Sequence, residues 1–335
     1  MPSTHIASGR AFTYATNIGK ISRSEIGFRH PVGLARGKDD TLYIANWGDE
    51  ASPNARITKC SISGQDWIAD IGAPGNGPGQ FLWPGGLISD AADRLYVTDQ
   101  ADHKVVIFQS DGQFIGKWGF YGTEEGEFNS PAGIAIDSKE NIWIVDSKNH
   151  RIQMYSKDGN YLYGFGQFGS DVGSLNNPWG IGLDIDDNVY VADWGNNRIQ
   201  KFSPDGVPLL SITYADTSAD SLNHPADVTI DPEGDIYIAD WGNHRVVIYE
   251  PDGTFLLTIS GDANDLSKWA KAAVAANPDL AKARDRVDLE PEWRFWHPVS
   301  INIGADYRIL IAEAQHMRIQ VYQKDLEYTE AQFTL

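Results

Sequence analysis

The chain has 335 residues, of which 41% are hydrophobic, and a formal net charge of −19. That composition excludes a disordered chain, and the absence of any basic run excludes nucleic acid and anionic membrane surfaces as expected partners. One cysteine, Cys60, rules out an intramolecular disulfide, and no apolar run reaches the roughly 18 residues needed to span a bilayer. A small-molecule or peptide ligand, neutral or cationic, suits so acidic a surface. The first residues, MPSTHIASGRAFTY, lack an apolar signal core. With the lone cysteine, this makes the cytoplasm the expected compartment.

In chain order the sequence is six copies of one unit. The copies begin HPVGLARGKDDTLYIAN at His30, WPGGLISDAADRLYVTD at Trp83 and SPAGIAIDSKENIWIVD at Ser130. They continue with NPWGIGLDIDDNVYVAD at Asn177, HPADVTIDPEGDIYIAD at His224 and HPVSINIGADYRILIAE at His297. In every copy 16 residues separate the residue before proline from the acid or amide that ends the run. Each unit predicts four strands. Two are apolar runs joined by a polar turn such as DPEG. A third, such as RIQKF, is turned by PDG or KDG into a fourth, such as FLLTIS. A four-stranded unit recurring at three successive spacings of 47 residues predicts the blades of a β-propeller. One closed ring of residues 1–335, an all-β six-bladed propeller, then accounts for the length. Two segments compete to be the fourth strand of the last blade. Thr13–Ile18 is preferred because Gly19 matches the register; Glu327–Thr334 would be an extra edge.

The blade pattern resembles the NHL-repeat family of propellers, whose blades read P-x-G-I-A-x-D, then I-Y-V-A-D-x-x-N-x-R-I-x-x-F, then D-G. The resemblance covers about residues 30–325. It implies the six-bladed fold, but the family shares no single function. The pattern is also distantly similar to that of the peptidyl-hydroxyglycine amidating lyases, which place zinc-binding histidines directly after the blade proline. Here those positions hold Val32, Gly85, Ala132, Trp179, Ala226 and Val299, so the zinc motif is absent.

ADWGNNR at Ala192–Arg198 and ADWGNHR at Ala239–Arg245 resemble a site by composition. Their acid and base recur in blade after blade, however, and a residue needed once per blade is building blades. Function is expected where the copies differ. Both long insertions fall on one face of the ring: NWGDEASPNAR in the first blade, and residues 261–296 between the fifth and sixth. The second carries apolar residues at helical spacing and a helix restart at Asn277-Pro278, and is predicted to be a helical lid. A packing element is the competing reading.

Three adjacent blades place His30, His224 and His297 before the proline. Three neutral imidazoles near an axis would hold a divalent metal such as zinc, with an open position for substrate. The alternative is that these polar residues only bond their loops. Asp227 replaces the glycine found in most blades and could act as a base or orient His224. Trp47, Trp179, Trp194, Trp241 and Trp296 are expected around the mouth as a ligand-binding aromatic surface, or as wedges between blades. GFGQFG at Gly164 has no helix after it, so no nucleotide cofactor is expected. The functional expectation is a lyase or hydrolase acting at the mouth on a neutral or cationic, partly aromatic small molecule. It would be metal-assisted, with His224, His297 and Asp227 in catalytic roles. The alternative is a non-catalytic NHL scaffold that binds a ligand or protein.

Overall fold

The computed structural model describes residues 3–22, 26–48, 54–213, 221–326 and 328. Five four-stranded antiparallel sheets and one five-stranded sheet form the six blades, apart from one short two-stranded parallel pairing between blades 1 and 2. The first strands of the blades line the axis: Pro31–Arg36, Pro84–Ser89, Pro131–Ile136, Ile181–Leu183, Pro225–Ile230 and Pro298–Ile303. The second strands, such as Ile236–Asp240, are wholly buried. That is why they read as unbroken apolar runs rather than as alternation. The apolar core lies between blades. Tyr190 and Ala192 of blade 4, for example, pack with Val228, Ile238 and Val247 of blade 5.

The N-terminal strand closes the ring, as its register predicts. Arg10–Ile18 pairs with the third strand of blade 6, Arg318–Asp325. A further edge strand is N-terminal, Thr4–Ala7, folded back on Arg10–Thr13. Except for residue 328, the C-terminal segment expected at 327–334 lies outside the described residues, as do residues 49–53 of the blade 1 insertion. The closure is fastened on the far face. The Lys324 ammonium, fully buried, lies 2.6 Å from Asp231, 2.7 Å from Glu233 and 2.9 Å from Asp235. Arg10 adds a 2.7 Å ion pair to Asp235.

The ADWGNNR loop holds its blade. Asp193 accepts the Asn176 N–H at 2.7 Å, and its other oxygen accepts Asn196 Nδ2 at 2.9 Å and Arg198 Nε at 2.7 Å. Arg198 then donates to the carbonyls of Ser170, Asp171 and Ser174, tying down the loop that enters the blade. Blades 3 and 5 repeat the ion pair at Asp146–Arg151 and Asp240–Arg245. Blade 6 uses Glu313–Arg318. The residues just before the basic residue form straps between blades. His103 Nδ1 accepts the N–H of Ser130, His150 Nδ1 that of Asn177, and His244 Nδ1 that of His297.

Three short helices occupy the second insertion: α1 (Lys268–Ala275), α2 (Pro278–Arg284) and α3 (Glu290–Trp293). Asn277 caps α2 as the sequence predicts, accepting the N–H groups of Asp279 and Leu280. The α1 cap, Ser267, accepts the Ala270 N–H and donates to the Gly19 carbonyl. Trp269 packs edge-on against Phe28 at 5.3 Å and donates its indole N–H to Gln65 O at 2.6 Å. These contacts seat α1 on the outer rim between blades 6 and 1.

Candidate functional site: the axial channel

The six inner strands surround a channel of about 420 Å³. Each inner strand lines it with consecutive residues, such as Ala226, Asp227, Val228 and Thr229 of blade 5. The second position after proline holds Gly33, Gly86, Gly133 and Gly180 in blades 1 to 4, then Asp227 and Ser300 in blades 5 and 6. Two residues further on, blades 2 to 6 line the channel with Ile88, Ala135, Gly182, Thr229 and Asn302, while Ala35 of blade 1 packs in the core. The glycines are there because neighbouring backbones touch. A Cβ on Gly33 would lie 2.5 Å from Gly85 O, and one on Gly180 would lie 2.4 Å from Asp227 Oδ1. The channel thus has a bare, apolar wall on blades 1 to 4 and a polar stripe of four side chains on blades 5 and 6.

Among the described residues, Asp227 and His30 are the two titratable ones that line this space. The Asp227 carboxyl accepts Ser300 Oγ and the Ile301 N–H on Oδ2, and the Val228 N–H on Oδ1, each at 3.0 Å. Among the described residues no cation pairs with it. Burial outweighs these three donors and pushes the carboxyl up to about 7. His30 is pulled below the ordinary imidazole value, first by burial and then by Arg29. Near neutral pH His30 therefore favours its uncharged form, while Asp227 is divided between its two forms.

Of the residues expected at the site, Asp227, His30, Trp47, Trp179, Trp194 and Trp241 line the channel. His224, His297 and Trp296 do not line it. The three histidines are not gathered as a ligand set. Each is in left-handed backbone (φ 50° at His30, 52° at His224, 54° at His297). His224 lies 4.1 Å from Trp194 and 6.5 Å from Trp241, ring centre to ring centre, while Trp241 lies 4.1 Å from His297. The two imidazoles are thus held against indoles rather than aimed at one point. Among the described residues, only Asp231, Glu233 and Asp235 bring three metal-binding atoms within 4.8 Å of one another. The Lys324 ammonium stands there already. A zinc site at His30, His224 and His297 does not fit this geometry.

The lid expectation also meets a different arrangement. No residue of 261–296 lines the channel. The Trp269 anchor holds the helices at the rim, and Trp296 lines a separate groove between them and blade 6. Sequence reasoning missed Ser300, Thr229, Asn302 and Gln100. The first three could have been found by asking which copies depart from Gly or an aliphatic residue on the axis-facing positions. Gln100 stands where three other blades place Trp47, Trp194 and Trp241 after the loop acid or, in blade 1, the amide Asn46.

The comparisons with known proteins agree with this architecture. A family model described as a 6-bladed beta-propeller matches residues 85–165, and the NHL-repeat model matches 175–202 and 222–249. The chain is a six-bladed β-propeller that carries NHL repeats. Among solved structures it is similar to a protein of unknown function from Bacteroides thetaiotaomicron (TM-score 0.67, 18% identity, covering 94% of this chain and 76% of that one). It is also similar to a streptogramin B lyase (TM-score 0.60, 14% identity, 94% and 98% covered). A third is a gluconolactonase of Xanthomonas campestris (TM-score 0.59, 13% identity, 94% and 90% covered). At these identities the likeness is one of fold, and that fold is shared with propeller enzymes.

Proposed function

We propose that the protein is an enzyme of the lyase or hydrolase type, acting on a small, largely apolar molecule held in the axial channel. Asp227 would be its acid–base group. The observation that supports this reading is a lone carboxyl, shifted to about 7, on the polar side of an otherwise glycine- and aliphatic-lined channel. An acid at that value is divided between its two forms near neutrality, which suits proton transfer in either direction. Ionised, it would take a proton from substrate carbon or from an attacking water. Protonated, it would return that proton to the leaving atom. Ser300 and the two backbone donors fix its orientation, and Trp47, Trp179, Trp194 and Trp241 would hold an apolar or aromatic body at the mouth.

The test is a panel of small esters, lactones, amides and β-eliminating substrates, assayed with the wild type and with Asp227→Asn. The reading predicts turnover that rises with pH through about 7, as the base form appears, and that falls by at least about a hundredfold in the variant. Turnover that is pH-independent or retained in Asp227→Asn would overturn it. A second reading, a scaffold docking a protein on the same face, is favoured by one observation. Trp83, Tyr121 and Phe168 on the loops entering blades 2, 3 and 4 are 61%, 63% and 69% exposed.

A further inference from the structure

Burial of a polar group is costly unless it is hydrogen-bonded, so each buried group without a partner needs an explanation. Two such groups belong to the channel. Gln100, on the loop after the second strand of blade 2, is 8% exposed and its Nε2 has no hydrogen-bond partner. It sits over Gly85, where a Cβ would meet Nε2 at 3.0 Å. Asn302, on the axis-facing side of blade 6, has a buried Oδ1 without a partner. Both side chains line the channel.

A carboxamide presents an N–H donor and a C=O acceptor side by side. Its complement is an edge that presents the same two groups in the opposite sense. We infer that the channel recognises an uncharged cyclic amide or imide, whose adjacent C=O and N–H groups pair with the carboxamides of Gln100 and Asn302. The ring carbons face the bare inner strands of blades 3 and 4. A charged ligand is disfavoured because a desolvated channel without a fixed opposite charge offers an ion nothing in return for its hydration. The inference rests on the reading that the axial channel is the binding site, and it adds the class of molecule bound there.

The experiment follows the indole N–H resonances of the intact protein during titration with four ring compounds of similar size. Hydantoin carries alternating C=O and N–H groups, and cyclopentanone carries the acceptor alone. Pyrrolidinium is the cation and cyclopentanecarboxylate the anion. The inference predicts that hydantoin moves the Trp47, Trp179, Trp194 and Trp241 indoles, leaves Trp269 on the rim unmoved, and binds about tenfold more tightly than cyclopentanone. Gln100→Met and Asn302→Leu should each remove most of that preference. Neither should lower the melting temperature, since each deletes a polar group the fold leaves unpaired; a structural role would lower it. Equal binding of hydantoin and cyclopentanone, unchanged in the variants, would overturn the inference and leave the channel as the site. Tightest binding of the cation or the anion would do the same. If none of the four compounds moves the channel indoles, the channel is not a binding site and the functional reading falls with it.

Discussion

Asp193 and Asp227 are both carboxyls set into the propeller, and they live in opposite worlds. Asp193, fully buried, is paired with Arg198 and also bonded to Asn196, Gln200 and a backbone N–H. Blades 3 and 5 build the same arrangement at Asp146 and Asp240. Asp227 stands at a position that four blades give to glycine, and accepts three hydrogen bonds with no cation to balance its charge. The repeated acid is paired with an arginine and spent on holding a loop. The single acid is poised between two protonation states and faces the channel. In a repeat protein the conspicuous motif is architecture, and the exception to the repeat is where chemistry can be placed.

The largest effect should come from breaking the repeated pair. Arg198→Ala leaves Asp193 buried without its cation and takes one donor from each of three carbonyls, so thermal or chemical melts should show a loss of about 3–5 kcal/mol. A loss below 1 kcal/mol would mean that the pair is ornamental. Next comes the pH dependence of Asp227. Its folded value of about 7 lies above the ordinary 3.8. The stability it contributes is therefore complete below about 3.8 and is lost as pH rises through 7. The upper limit of that loss is about 4 kcal/mol, from the size of the shift. Asp227→Asn should flatten this part of the stability curve between pH 5 and pH 8, and a variant with an unchanged slope would contradict the assignment.

Gly180→Ala tests the close approach that shapes the channel. Its Cβ would stand 2.4 Å from Asp227 Oδ1 and 2.6 Å from the Ala226 carbonyl. A cost of roughly 1–3 kcal/mol is expected, together with a displaced carboxyl and weakened ligand binding. Trp269→Ala should have the smallest effect on the channel. It should loosen the helical insertion, seen as faster amide exchange in α1, while channel binding stays within about twofold, since the helices sit on the rim. A large loss of channel binding would restore the lid reading.

Much of this was legible in the residues themselves. The register at Gly19 identified the closing strand, and Asn277-Pro278 marked the start of α2. Asp227 stood out by replacing a glycine. The histidines did not behave as their spacing suggested, for a physical reason. A shared position before proline fixes a shared left-handed backbone but not a shared ring direction, and the neighbouring indoles of Trp194 and Trp241 decide where the rings go. The lid failed likewise. Its helices were readable from apolar periodicity, but where they dock depends on Phe28 and Gln65, more than 200 residues away in sequence. Gln100 and Asn302 depart from the repeat, but that their amides are unpaired is recognised only once their surroundings are known.

The most direct test of the central claim is the titration of the Asp227 carboxyl carbon by NMR, assigned by its loss in Asp227→Asn. The account predicts a midpoint near 7, shifting when a channel ligand is added. A midpoint near the ordinary carboxylate value of 3.8 would show a permanently charged strap between blades 5 and 6, and would contradict the assignment of acid–base chemistry to this channel.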